Sequence, residues 1–446
     1  MQVDHTSESA LEKATMRRVS LRLVPFLMAC YFFALLDRVN VGFAALQMNK
    51  DLGLSAAVFG LGSSLFFVAY FLVEVPSNLA LEKFGARRWI ARIMITWGII
   101  SAGMALVVGP YSFYAMRLLL GAAEAGFFPG VVLFLTYWFP AAYRARIIAI
   151  FMVSIPIASF VGSPVSALLL ELNGVFGLKG WQWLFILEAV PTVLLGMACL
   201  RVLTDRPASA KWLSAEQRDW LARRIELDGA KKSAIGHLSI WQLLRNKYFL
   251  VMAMVCAGAS ATGSTLSIWQ PQILKGFGLS NLETGFLNSV PYGIASVLMV
   301  LWGRHSDRTG ERRWHTALAL LLIACGLASM AFTKGMLLPT VLMLSFALIG
   351  AYSFKGPFWA LSSTWMSPKT AAAGLAGINA IANLVGGGAI SLVGLIKDST
   401  GSFSVALLPL VLLTLIGGIS VLVMTRQARA QAPAEAVPEG PAASAT

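Results

Sequence analysis

The chain has 446 residues, 57% of them hydrophobic and only 13% charged, and its mean hydropathy is +0.72. Soluble domains carry about 25% charged residues, so the composition excludes both a soluble globular protein and a protein with one membrane anchor. A net charge of +14 would point to nucleic acid in a soluble chain; here its distribution reads as a topology signal, and no nucleic-acid partner is expected.

A membrane-spanning helix needs about 20 apolar residues. The first twenty residues are polar, and the apolar run behind them is long enough to span, so it reads as helix 1 and not as a cleavable signal. Twelve spans are predicted: 22–47, 56–80, 89–109, 111–138, 146–170, 181–203, 248–274, 284–303, 314–333, 337–366, 370–396 and 402–425. Of the 35 Lys and Arg, three are intramembrane, five (Lys50, Lys179, Lys275, Lys334, Lys397) fall on one side, and the remaining 27 share the other side with both termini. The positive-inside rule makes that second side cytoplasmic. Four cysteines inside spans, without motif spacing, read as packing residues. No metal or cofactor is expected.

Span 1 reads FLMACYFFALLDRVNVGFAAL and places Asp37 and Arg38 near its middle. A charge at a bilayer centre costs roughly 2.5–3.5 kcal/mol on insertion scales, so such residues face a partner or a wet cavity and mark function. Neighbours on a helix point about 100° apart, which puts Asp37, Asn40 and Ala44 on one face with Arg38 beside it. In span 4, YAMRLLLGAAEAGFFPGVVLFLTYW, Arg117 and Glu124 share a face two turns apart, roughly 10.5 Å along the axis, with the small Gly121 between them. The two helices can therefore offer Arg–carboxylate pairs at two depths. Static ion pairs that only fix packing are the structural alternative. Glu74 and Glu188 read as helix-end structural groups.

Residues 204–246 form a basic polar stretch whose WLSAEQRDWLARRIELDG segment has apolar residues at helical spacing behind a capping Ser214. It reads as an amphipathic helix on the membrane surface or on the inner helix ends, or else as a solvated linker. After span 8, GRHSDRTGERRW (303–314) repeats NLALEKFGARRW (78–89) at an offset of 225 residues, superposing Asp307 on Glu82, Arg308 on Lys83, and Arg312 and Arg313 on Arg87 and Arg88. Each loop sets a carboxylate beside several cations at a helix end, a cluster able to lock in one state and release in another. Span 10 carries Lys355 beside Phe354, Phe358 and Trp359; a cation with aromatic neighbours suits a second carboxylate or an aromatic acid. Pairing with a carboxylate of another span, or snorkelling along a crevice, is its alternative. Gly386, Gly387 and Gly388 in span 11 allow close helix approach. The Ala-, Pro- and Glu-rich tail reads as disordered.

Six spans, a basic connector and six more, with G-x-x-x-D-R-x-G-x-R-R after span 8, resemble the major facilitator superfamily. YFFALLDRVNVGFA, EVPSN, RLLLGAAEAGFFPG and WLFILEAVP resemble, within it, the anion:cation symporter family, which includes sugar-acid, tartrate and aromatic-acid permeases. The resemblance implies an all-α fold of two pseudo-symmetric six-helix bundles: 1–203, a linker at 204–246, 247–426, and a tail at 427–446. It also implies roles. Arg38 and Arg117 would engage the anion, Asp37 and Glu124 would carry protons, Tyr70 and the span 11 residues Asn379 and Asn383 would line the cavity, and the loops around Glu82, Arg87, Arg88, Asp307, Arg308, Arg312 and Arg313 would latch the cytoplasmic gate. Two departures stand out: Leu35 where sugar-acid members have Tyr, and an apolar span 5 where they have Gln. Fewer hydroxyl-reading groups suggest a substrate less polyhydroxylated than an aldonate.

The expected function is proton-coupled uptake of an organic acid anion across a bacterial inner membrane, by a monomer working through alternating access, with Lys355 and Trp359 added to the substrate site. A drug/proton antiporter of the same fold, or an uncoupled or sodium-coupled anion carrier, is the alternative. An enzyme is not expected, because the four histidines all lie on the cytoplasmic side and no nucleophile–base pair stands out.

Overall fold

A computed structural model describes residues 5–232, 245–364 and 371–431. The end of the predicted linker (233–244), the turn at 365–370 and the last part of the predicted tail (432–446) lie outside the described residues. Backbone groups in hydrocarbon must be satisfied within the segment, and the chain answers with helix: no strand occurs among the described residues. Eleven helical segments are long and apolar enough to cross a membrane, and the shorter Arg313–Ser329 fills the place of the predicted ninth span. The chain is a multi-pass membrane protein of twelve spans in two six-helix bundles.

The first bundle comprises α1 (His5–Asp51), α2 (Ala56–Phe84), α3 (Ala86–Gly103), α4 (Pro110–Glu124) with α5 (Phe127–Trp138), α6 (Ala141–Met152) with α7 (Ser154–Leu170), and α8 (Gly180–Val202). After α9 (Ala215–Lys232), the second bundle comprises α10 (Lys247–Lys275), α11 (Asn281–Thr309), α12 (Arg313–Ser329), α13 (Leu337–Ser353) with α14 (Lys355–Thr364), α15 (Ala371–Thr400), and α16 (Phe403–Ala406) with α17 (Leu408–Gln431). Two ends differ from expectation. The first helix starts at His5, well before residue 22, and the last runs to Gln431, past the predicted tail boundary at 426.

Three spans expected to be continuous are interrupted, and proline explains where. Pro129, Pro156 and Pro357 lack the N–H that would bond the carbonyls of Ala125, Met152 and Ser353, the places where α4, α6 and α13 give out. Prolines 76, 191 and 291 sit inside unbroken helices, so the missing donor alone does not break a span. In span 4 the break is completed by Gly126, whose φ of 87° lies in the left-handed region open to glycine. Glu124 ends one half-helix and Lys355 begins another.

The bundles meet along the side away from both termini, here called the distal side. Asp398 at the end of α15 accepts from the first amides of α2, Ala56 at 2.9 Å and Ala57 at 2.7 Å. Asn288 donates to Ser163 at 2.8 Å, and Ser64 donates to the Gly387 carbonyl at 2.5 Å. At Gly394 a side chain would run into the Ala56 carbonyl, so the α2–α15 seam depends on its absence. Among the described residues, the hydrogen bonds between bundles all lie in the distal half or near the middle. The terminal side carries none of them.

There α9 docks on the helix ends of the first bundle. Ser214 caps it reciprocally with Gln217, both bonds at 3.2 Å. Leu221 is fully buried, Trp212 stacks on Trp138 with centroids 5.3 Å apart, and Asp228 accepts from the Ala141 amide at 2.7 Å. Of the sequence readings, docking on helix ends is the one this geometry matches.

Candidate functional site

The charged residues of spans 1 and 4 do come together, but not as two equivalent pairs. Arg38 of α1 forms an ion pair and hydrogen bond with Glu124 Oε1. Its guanidinium lies 5.4 Å from the ring centroids of both Phe66 and Tyr70 on α2, a cation–π setting worth about 0.5–2 kcal/mol per face. With spans 2 and 4 holding it, 27% of the side chain stays exposed. Glu124 is 3% exposed at its side chain, and its Oε2 has no hydrogen-bond partner among the described residues.

Arg117 is 0% exposed and stands 4.8 Å over Phe66. None of its guanidinium nitrogens has a hydrogen-bond partner among the described residues. An unpaired buried guanidinium is costly, and its compensation comes from the aromatic face and from Glu124 two turns along the same helix. Gly121 lies between them, against the Phe66 carbonyl, where any Cβ would clash. Glycine there lets α4 approach α2 closely enough for Phe66 to serve both arginines.

Asp37 points elsewhere. It is 1% exposed and accepts hydrogen bonds from Ser101 on α3 at 3.1 Å and Thr192 on α8 at 2.9 Å, with Asn40 at 3.5 Å. The expectation of Arg–carboxylate pairs at two depths is therefore corrected: one pair forms, and the roughly 100° between adjacent helix positions turns Asp37 into the first bundle. Two further readings change. Glu188 lies mid-helix in α8, 3% exposed, and accepts from Ser166 at 2.7 Å. Glu74 is also within a helix, one turn from Tyr70. Neither is a helix-end group.

From the second bundle, Lys355 starts α14 with its Nζ 5.1 Å from the Tyr352 ring. It has no carboxylate within ion-pair distance among the described residues, so the paired-lysine alternative is not what the geometry gives. Phe354 and Phe358 stack at 4.5 Å, and the half-buried Trp359 meets Phe358 edge-on at 5.0 Å. Asn379 and Asn383 are half-buried one turn apart on α15.

The loop residues are held within their own bundles. Asp307 pairs with Arg312 at 2.6 Å, Arg313 donates to the Leu422 carbonyl at 2.8 Å, and the Arg87 amide donates to Asp205 at 2.8 Å. Glu82, Arg88 and Arg308 make no ion pair across the bundles among the described residues. A cross-bundle latch is not formed in this state.

The sequence profile of the Major Facilitator Superfamily matches residues 27–392. A relative from Agrobacterium vitis named "Putative tartrate transporter" is 51% identical over 422 residues, 94% of this chain and 96% of its own. The "Quinolone resistance transporter" of Acinetobacter baumannii is 40% identical over 410 residues, covering 91% and 94% of the two chains. Among solved structures, a bacterial homologue of the human lysosomal transporter Spinster, inward-facing and occupied, superposes with a TM-score of 0.73 at 17% identity, over 91% of this chain and 96% of that one.

Proposed function

The chain belongs to the Major Facilitator Superfamily, so it is a transporter and not an enzyme, and from that premise we propose that it is a proton-coupled carrier importing a small organic dicarboxylate across the bacterial inner membrane. The terminal side, rich in Lys and Arg, is the cytoplasm. The observation carrying the reading is the partly exposed Arg38 of the first bundle, held by Glu124, with Lys355 of the second bundle lacking any acidic partner among the described residues.

Arg38, Arg117 and Lys355 bring three positive charges and Glu124 one negative. Ionised Glu124 occupies Arg38. A proton taken from the acidic exterior neutralises Glu124, frees the guanidinium, and leaves a site that attracts an anion more strongly. One substrate carboxylate takes Arg38 in the first bundle and the other takes Lys355 in the second, so binding draws the halves together. Facing the more alkaline cytoplasm, Glu124 loses its proton, recaptures Arg38 and displaces the anion. Tyr70, Trp359, Asn379 and Asn383 wall the site. The gate loops, held within their bundles here, meet across the cytoplasmic face when that side closes. A tartrate-named relative at 51% identity supports a dicarboxylate.

In proteoliposomes without sodium, an inwardly directed proton gradient is expected to drive accumulation of labelled tartrate, and collapsing the gradient to stop it. Uptake that ignores the gradient, or that requires sodium, removes the proton coupling. The quinolone-named relative favours a second reading, export of a drug bearing an aromatic carboxylate. Reduced quinolone accumulation in cells expressing the chain, with no tartrate uptake, would select it.

A further inference from the structure

The acid cluster behind the anion site has no role in the cycle just described. Asp37 and Glu188 are 1% and 3% exposed, and Asn40, fully buried, lies between them: its amide is 3.5 Å from Asp37 Oδ1 and reaches Glu188 as well. The groups facing the pair from each packed element are Ser101 on α3, Ser166 on α7, and Thr192 on α8. Glu124 on α4 is the other ionisable group acting on Asp37, and it too is acidic. Arg38, next in the chain, is turned away onto Glu124. No cation pairs with either carboxylate among the described residues.

Two atoms of this cluster lack hydrogen-bond partners although buried: Glu188 Oε2 and Asn40 Oδ1. Both are acceptors. Two ionised carboxylates sealed together without a cation are costly, and neighbouring acids of this kind titrate as a unit. A proton on Glu188 Oε2 relieves the repulsion and brings a donor into a cluster that has two unpartnered acceptors, while the Asn40 amide donates to Asp37.

We propose that Glu188 and Asp37, bridged by Asn40, jointly hold one transported proton in a site separate from the Arg38–Glu124 anion site. This rests on the proton-coupled reading above. Asp37 links the two sites, since it follows the charge of Glu124 on one side and of Glu188 on the other.

The test uses the full chain in proteoliposomes with tartrate, reading gradient-driven accumulation, tartrate exchange at equal pH, and protons moved per tartrate with an internal pH dye. For Glu188→Gln, accumulation is expected to fall at least tenfold more than exchange, with one proton fewer per tartrate. Glu188→Asp should recover part of both, which guards against a merely unfolded variant. An unchanged stoichiometry in Glu188→Gln, or equal loss of accumulation and exchange, overturns the proposal. So does a sodium-dependent rise in melting temperature that Glu188→Gln abolishes. If the wild type exchanges tartrate but never accumulates it on a proton gradient, the reading of the function fails instead.

Discussion

The two bundles share an ancestral pattern, visible in the loops offset by 225 residues, yet they handle buried charge in opposite ways. The first buries Asp37, Arg117, Glu124 and Glu188, and half-buries Arg38, among hydroxyls and aromatic faces. The second brings one cation, Lys355, among Tyr352, Phe354, Phe358 and Trp359. Broken spans mark the same place in each: α4 stops at Glu124, and α14 starts at Lys355. The difference teaches how a symmetric scaffold divides labour. Under the proposed cycle one half changes its charge by taking up protons, while Lys355 in the other has no carboxylate within ion-pair distance among the described residues.

The comparison breaks most sharply at Arg38. Arg38→Ala should lower tartrate uptake at least a hundredfold in proteoliposomes, and Arg38→Lys should recover little, because a point charge does not reproduce the planar fork against Glu124 and two rings. Uptake near wild type in Arg38→Lys would mean that charge alone suffices.

Glu124→Gln fixes the switch in its neutral form. Wild-type anion affinity should rise as pH falls, since protonation frees Arg38. The variant should bind at pH 8 about tenfold more tightly than wild type, equivalent to about 1.4 kcal/mol, with a nearly flat pH profile and poor gradient-driven uptake. Tryptophan-fluorescence titration across pH would measure it; a variant profile as steep as wild type would return the switch to another group.

Lys355→Ala probes the constant half. Affinity for a dicarboxylate should fall about tenfold and for its monocarboxylate analogue less than threefold. Equal losses would discard the second-carboxylate role. The smallest effect is expected at the seam: Gly394→Ala forces α2 from α15, so a drop of a few degrees in melting temperature, with exchange reduced about threefold, is anticipated by thermal-shift and exchange assays.

Much of this was legible in the sequence. Span lengths follow from bilayer thickness, and the intramembrane charges declared themselves by their cost, so the Arg38–Glu124 meeting of spans 1 and 4 was within reach of helical geometry. That geometry also says Asp37 and Arg38 diverge, but not that α3 and α8 would offer Ser101 and Thr192 to receive Asp37; such contacts depend on how distant helices pack. Glu188 was readable and misread. It lies well inside the predicted span 181–203, and α8 runs unbroken past it to Val202. The span 4 break needed Gly126 at positive φ as well as Pro129, a conjunction that proline counting alone does not supply.

Asp398 has a consequence for the empty carrier's return. Its carboxylate neutralises the positive end of α2 through Ala56 and Ala57, and that helix end must come bare whenever the outer face parts. The amides bonded to that carboxylate favour its ionised form, so the clasp gives way when the helices part and not when the medium turns acid. Under the proposed cycle, the condition that loads the carrier would then leave this seal intact, and the speed of recovery would be set by the parting of α2 from α15.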